Sequence, residues 1–149
     1  MADAAMSGAI ETGVHVFPLR VYYEDTDAAG IVYHANYLRF AERARTEMMR
    51  LLGVESSQLL RSEGLNFAVA RCAVDFLKPA RLDDALEVHT RVSAVGLASL
   101  SAEQIVKRGS TPLARIVLRL AVLDQAGRPV RLPAVIRKTL INLSQSREK

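Results

Sequence analysis

The chain has 149 residues, half of them apolar, enough for one domain with a sizeable core. Its single cysteine, Cys72, excludes an intrachain disulfide and a cysteine zinc cluster, and it fits a reducing, cytoplasmic setting. The formal charge of +4 is uneven: residues 1–127 hold 14 Lys/Arg against 15 Asp/Glu, and residues 128–149 hold 6 against 1, so the basic excess lies entirely in the last stretch.

The first 14 residues are rich in Ala and Gly. They lack a basic start followed by an apolar core, and they read as a flexible tail rather than a signal peptide. No apolar run approaches the roughly 20 residues that span a bilayer, so stable membrane insertion is not expected. Residues 15–144 read as one domain without repeats or linkers, and residues 145–149 as a C-terminal tail.

Val16 to Tyr23 is apolar and β-prone, and Pro18 within it predicts a strand near a sheet edge. A loop with turn chemistry follows, from Glu24 to Tyr33. Asn36 to Leu52 has the helical period. Tyr37, Phe40, Ala41, Ala44, Met48, Leu51 and Leu52 share one face; Arg39, Glu42, Arg43, Thr46 and Arg50 lie opposite, and Gly53 stands where a C-cap glycine belongs. A shorter helix fits Ser57 to Ser62, before Gly64.

The remainder reads as strands. Phe67 to Leu77 ends at Lys78-Pro79. Leu86, Val88, Thr90, Val92 and Ala94 alternate with polar residues, and Gly96 turns the chain into Ser99 to Lys107. In Leu113 to Asp124, Ala114, Ile116, Leu118, Leu120 and Val122 form one face. Ile136 to Leu143 fits a last strand or a helix. One long helix followed by an antiparallel meander predicts an α+β layer architecture. A sheet wrapped on one helix leaves apolar surface over, which predicts a homo-oligomer, a dimer or a dimer of dimers.

Chemistry concentrates in Tyr22-Tyr-Glu-Asp-Thr-Asp-Ala-Ala-Gly-Ile-Val-Tyr-His-Ala-Asn-Tyr37, which holds all four tyrosines, three carboxylates and a histidine just before the long helix. A helix N-terminus presents unpaired N–H groups and partial positive charge, and such donors stabilise an oxyanion. Asp27 can attack a nearby carbonyl or activate water for the attack. Gly30 permits a close approach of ligand to backbone. Asp25 reads as a loop-shaping residue, His15 and His89 as surface residues, and Glu42, Arg43 and Arg45 as a solvated helix face. The three histidines lack ligand spacing, so no metal is expected.

The run Asp25-Thr-Asp-Ala-Ala-Gly-Ile-Val-Tyr-His-Ala-Asn-Tyr37 closely resembles the active-site signature of the 4-hydroxybenzoyl-CoA thioesterase family. Its continuation, Leu38-Arg-Phe-Ala-Glu-Arg-Ala-Arg-Thr-Glu-Met48, is most similar to the branch associated with the bacterial Tol-Pal system. The resemblance implies a hotdog fold, a long central helix wrapped by a curved antiparallel sheet, assembling as dimers or tetramers. It implies acyl-CoA thioester hydrolysis without a cofactor, with Asp27 as catalytic carboxylate and the backbone N–H at His34 as oxyanion donor. The intervening Gly30, Ile31, Val32 and Tyr33 are then expected to meet substrate.

Basic residues near the pocket mouth, from this chain or its neighbour, are candidates for the CoA phosphates: Arg128 and Arg131 foremost, with Arg137, Lys138, Lys78 and Arg81. Two other readings compete: a hotdog hydratase or dehydratase, and a non-catalytic acyl-CoA binding or scaffold protein. Nucleic-acid binding is not expected, because the basic tail has no interleaved aromatic residues.

Overall fold

A computed structural model describes residues 5–146, so the expectations for the outermost residues at both ends fall outside it. Six strands form one antiparallel sheet: β1 (Ala9–Glu11), β2 (Val14–Arg20), β3 (Asn66–Phe76), β4 (Ala85–Val95), β5 (Ser99–Arg108) and β6 (Thr111–Leu123). Their spatial order is β1-β2-β4-β5-β6-β3. Three helices accompany them: α1 (Asn36–Leu51), α2 (Ser56–Glu63) and α3 (Ala134–Gln145). The crossover carrying α1 and α2 takes the chain from β2 to the opposite edge of the sheet, where β3 pairs with β6 alone.

The N-terminal segment departs from the expected tail. Ala9–Glu11 pairs with Val14–Val16 as a short hairpin, so the sheet begins before residue 15. Pro18 lies past the last β1 partner, on the stretch of β2 that pairs with β4 only, where a missing N–H is tolerated. The first strand also stops earlier than expected, and Tyr23–Asp25 forms a 3₁₀ turn. The alternation in β4 to β6 matches the burial: Leu86, Val88, Thr90 and Val92 are buried, as are Ala114, Ile116, Leu118, Leu120 and Val122. Ala94, expected in that row, is exposed because the register slips between Val92 and Ala94.

Helix α1 buries Tyr37, Phe40, Ala41, Ala44, Met48 and Met49. At its C-terminal end Met49 takes the inward position, and Leu51 faces out. Met49 is drawn in because Val54, Leu59 and Leu65, around α2, cluster with it. The last apolar segment is helix α3, whose Leu140 and Leu143 join the same cluster. A second cluster fills the other end, around Val21, Val32, Tyr37, Phe40, Leu86 and Leu113. Among the described residues, no helix is long and apolar enough to cross a membrane.

Helix α1 packs mainly over β2 and β4, and less closely over β1 and β5. Strand β3 is left open, with Val69 and Phe76 each 53% exposed. A bulge at Ala70 decides which β3 residues face the helix side. Phe67, Val69, Cys72, Val74 and Phe76 stand opposite Val122, Leu120, Leu118, Ile116 and Ala114, the inward row of β6. Residues directly opposite share a face, so β3 lays an exposed, largely apolar floor alongside α1.

Candidate active site

The segment before α1 is held by its own polar groups. Asp25 is buried; its Oδ2 accepts the Tyr22 N–H at 2.8 Å and its Oδ1 accepts the Asn36 side-chain N–H at 2.8 Å. The Asp25 carbonyl accepts the Tyr33 N–H at 2.9 Å. These bonds tie both ends of the loop together, which is the shaping role expected for this residue.

Asp27 sits at the exposed tip of that loop. Its N–H donates to the Ile31 carbonyl at 2.8 Å, its carbonyl accepts the Gly30 N–H at 3.0 Å, and its Oδ1 accepts the Ala29 N–H at 2.9 Å. The second carboxylate oxygen has no partner among the described residues. Gly30 has φ +82°, which a side chain would strain, and a β-carbon there would meet nothing within 4 Å. The backbone at the tip is therefore open to a ligand.

Helix α1 begins without a side-chain cap. Ala35 occupies the N-cap position, and Asn36, a residue type suited to capping, is spent on Asp25. The Asn36 N–H donates to the Tyr33 carbonyl at 2.8 Å. Among the described residues, the His34 and Ala35 N–H groups have no acceptor. Two free donors thus lie at the positive end of a 16-residue helix, seven and eight residues after Asp27.

Below them lies a cavity of about 300 Å³ lined by Ile31, Val32, His34, Tyr37, Phe76, Leu77, Lys78 and Pro79. The His34 ring lies 6.1 Å from that of Phe76, edge to face, and Tyr37 lies 5.7 Å from Phe76. The Tyr37 hydroxyl accepts the Ala80 N–H at 3.0 Å, and the Ala80 carbonyl accepts the Val32 N–H at 2.8 Å. Of the residues expected at the site, Ile31, Val32 and His34 line this cavity, whereas Asp27, Gly30 and Tyr33 stand outside its lining.

The loop from Lys78 to Asp84 is braced beside it. Arg108 donates to the Pro79 carbonyl at 3.2 Å and to Asp84 Oδ2 at 2.7 Å, and Asp84 Oδ2 also accepts the Arg81 N–H. Partial burial works to raise the Asp84 pKa. The Arg81 amide and the hydrogen bond and charge of Arg108 outweigh it and hold the carboxyl below the usual range.

The basic candidates separate within one chain, and the expectation for His15 needs correction. Arg128 and Arg131 are exposed on the segment after β6, at the Leu123–Asn66 end of the sheet. Phe76 pairs with Ala114 at the other end, about 30 Å away at the usual rise of a strand. The two arginines therefore do not reach the cavity of their own chain, and Lys78 is the basic residue that lines it. His15, expected at the surface, is fully buried, because β1 and the preceding residues cover it. Its Nε2 lies 2.7 Å from the Ser7 carbonyl and its Nδ1 has no partner among the described residues.

An uncapped helix that follows directly on a carboxylate-bearing loop, over an antiparallel sheet with one long central helix, defines a hotdog domain of the thioesterase type. The chain belongs to the thioesterase-like superfamily, whose family profile matches residues 21–140. It is 43% identical to the acyl-CoA thioesterase YbgC of Haemophilus influenzae over 85% of this chain and 94% of that one. It is 38% identical to the acyl-CoA thioester hydrolase YbgC of Escherichia coli O6:H1 over 89% and 96%. Among solved structures, a probable thioesterase from Bartonella henselae superposes with a TM-score of 0.77 at 37% identity, covering 80% of this chain and 99% of the other.

Proposed function

We propose that this protein hydrolyses acyl-CoA thioesters to the free acid and CoA. The observation that carries the reading is the pair of free N–H donors at His34 and Ala35, beside the Asp27 loop, in a chain so similar to YbgC thioesterases. The thioester carbonyl oxygen points at those donors. Asp27 acts as general base or as nucleophile. As base, it takes a proton from water while the water oxygen bonds to the carbonyl carbon. The negative charge that forms on the carbonyl oxygen is stabilised by the N–H groups and the helix end. Collapse breaks the C–S bond, and the departing thiolate takes up the proton. No cofactor enters the scheme. The His34 imidazole is dispensable in it, since the backbone supplies the donor.

Thiol release from a panel of acyl-CoA esters tests this. Asp27→Asn should lower kcat by about 100-fold or more, the contribution expected of a positioned base. His34→Ala, which keeps the N–H, should stay within a few-fold of wild type. Equal turnover by wild type and Asp27→Asn would remove Asp27 from the centre of the mechanism.

Lys78 and Arg81 are the nearest candidates for the CoA phosphates within one chain. The open edge of β3 supports a second copy pairing there, two-fold related and antiparallel, with dimers of dimers as the larger form. That arrangement brings the Asn66 end of the second copy toward this chain's Phe76, and with it the second copy's Arg128 and Arg131. The lone cysteine supports a cytoplasmic location, and the resemblance to the Tol-Pal branch supports a role linked to the cell envelope.

A further inference from the structure

Arg45 was expected on the solvated face of α1. It is half-buried instead, and burial pulls its guanidinium below the usual range against the opposing charges of Glu42 and Cys72. Its Nη1 donates to Gln104 Oε1 at 2.9 Å. Gln104 is completely buried and cannot turn, because its Nε2 donates to the Ala41 carbonyl at 2.9 Å and to Thr90 Oγ1 at 3.0 Å. The guanidinium is thus aimed by a fixed amide.

Arg45 has no carboxylate within salt-bridge distance and no other hydrogen bond among the described residues. An arginine carries five N–H donors, so most of its capacity is unused. It faces a second cavity, of about 290 Å³, whose other lining includes Met48, Met49, Phe67, Leu100 and Leu120. Glu42, Thr46, Ser56 and Asn66 are the other polar residues of that lining, so among the described residues Arg45 is the one cation in a partly apolar wall that carries one carboxylate.

The second cavity is aligned with the first. Tyr37, Ala41 and Arg45 follow one another at four-residue spacing along α1, and Phe76, Val74, Cys72, Val69 and Phe67 run beside them on β3. Tyr37 and Phe76 line the cavity at the helix start; Arg45 and Phe67 line the other. From His34 to Arg45 the helix rises about 16 Å. A medium or long acyl chain covers that distance, and an acetyl or benzoyl group does not.

Resting on the thioester-hydrolysis reading, we infer that the second cavity receives the far end of the acyl chain and that Arg45 selects chains ending in a carboxylate. A plain hydrocarbon end would leave a desolvated guanidinium facing methyl groups, and a carboxylate end would meet its free donors. Glu42 also lines the cavity and its charge acts on the guanidinium, but it is exposed to solvent and makes no salt bridge with Arg45 among the described residues.

The test compares dodecanoyl-CoA with dodecanedioyl-CoA, with acetyl-CoA as the short control. Non-hydrolysable thioether analogues of the two long esters are used for binding. Wild type should favour the dioic ester by about tenfold or more in kcat/KM and its analogue by a similar factor in Kd. Arg45→Met should abolish or invert both preferences, leave acetyl-CoA turnover within about twofold and leave the sedimentation coefficient unchanged. Arg45→Lys should retain part of the preference.

Equal handling of the two long esters by wild type would overturn the inference while hydrolysis stood. A preference in analogue binding without turnover of any ester would leave the cavity's role standing and remove hydrolysis. Loss of acetyl-CoA turnover in Arg45→Met, or dissociation of the assembly, would assign Arg45 to structure or to a subunit contact and overturn the inference.

Discussion

Asp25 and Asp27 are two residues apart and have opposite surroundings. Asp25 is enclosed and spends both oxygens inside the loop; Asp27 is at the tip with one oxygen free. The loop-shaping role expected of Asp25 matches its bonds, because turn chemistry acts locally, and the free oxygen of Asp27 is what its proposed role requires. His15 was misread for the complementary reason: its burial depends on a hairpin that composition alone presented as a tail. Ser7, Phe17 and Glu47 are the groups around it; Phe17 stacks on its ring, and Ser7 Oγ donates to Glu47 at 2.8 Å. Burial lowers the His15 pKa, against the smaller raising effects of the Ser7 carbonyl and Glu47. The unfolded chain then binds the proton more readily than the folded one. The stability His15 contributes is present above its unfolded pKa of about 6.5 and is lost as pH falls through the lower folded value. Thermal unfolding followed from pH 7.5 to pH 5 should therefore show a melting temperature that drops in wild type and drops less in His15→Phe. Parallel curves would mean that the ring is not the titrating group.

At the scale of elements, hydrophobic period was a good guide where one face was buried and a poor one where a bulge intervened. Helix α1 and strands β4 to β6 were legible to within a residue or two, because each has a continuous buried face. The faces of β3 were not, because Ala70 inserts a residue between Val69 and Arg71 and reverses the alternation at that point. The bulge is what keeps Phe67 and Val69 on the same side as Cys72, Val74 and Phe76. Deleting Ala70 should turn one half of the strand over. Exposing Phe67 and Val69 on the wrong face, or Val74 and Phe76, should cost about 1–3 kcal/mol, read as a lower melting temperature. It should also raise KM for long acyl-CoA esters more than for acetyl-CoA, since only the long chains use the floor of the groove. A deletion variant with unchanged melting and unchanged KM would show that the register of β3 is unimportant to the groove.

For the molecule as a whole, the open edge of β3 is the largest feature that one chain leaves unfinished. It is 11 residues long, carries no proline and pairs on one side only, which are not the marks of a protected edge. Its outward-facing charges give the inferred dimer a register. If two copies pair antiparallel about Ala73, Arg71 of each lies opposite Asp75 of the other. Such a pairing would also bring the second copy's basic residues to the cavity, and sequence order alone cannot say which copy supplies them. Arg71→Glu puts like charges across both symmetry-related pairs and should weaken self-association by roughly tenfold, at about 0.2–1 kcal/mol per cross-strand pair with repulsion replacing attraction. Adding Asp75→Arg should restore it. Sedimentation velocity over a concentration series reads the association, and KM for acyl-CoA should rise with dissociation in Arg71→Glu and recover in the double variant. If the single variant sediments as wild type does, the β3 edge is not the subunit contact; if both variants dissociate alike, the contact is there but the register about Ala73 is wrong.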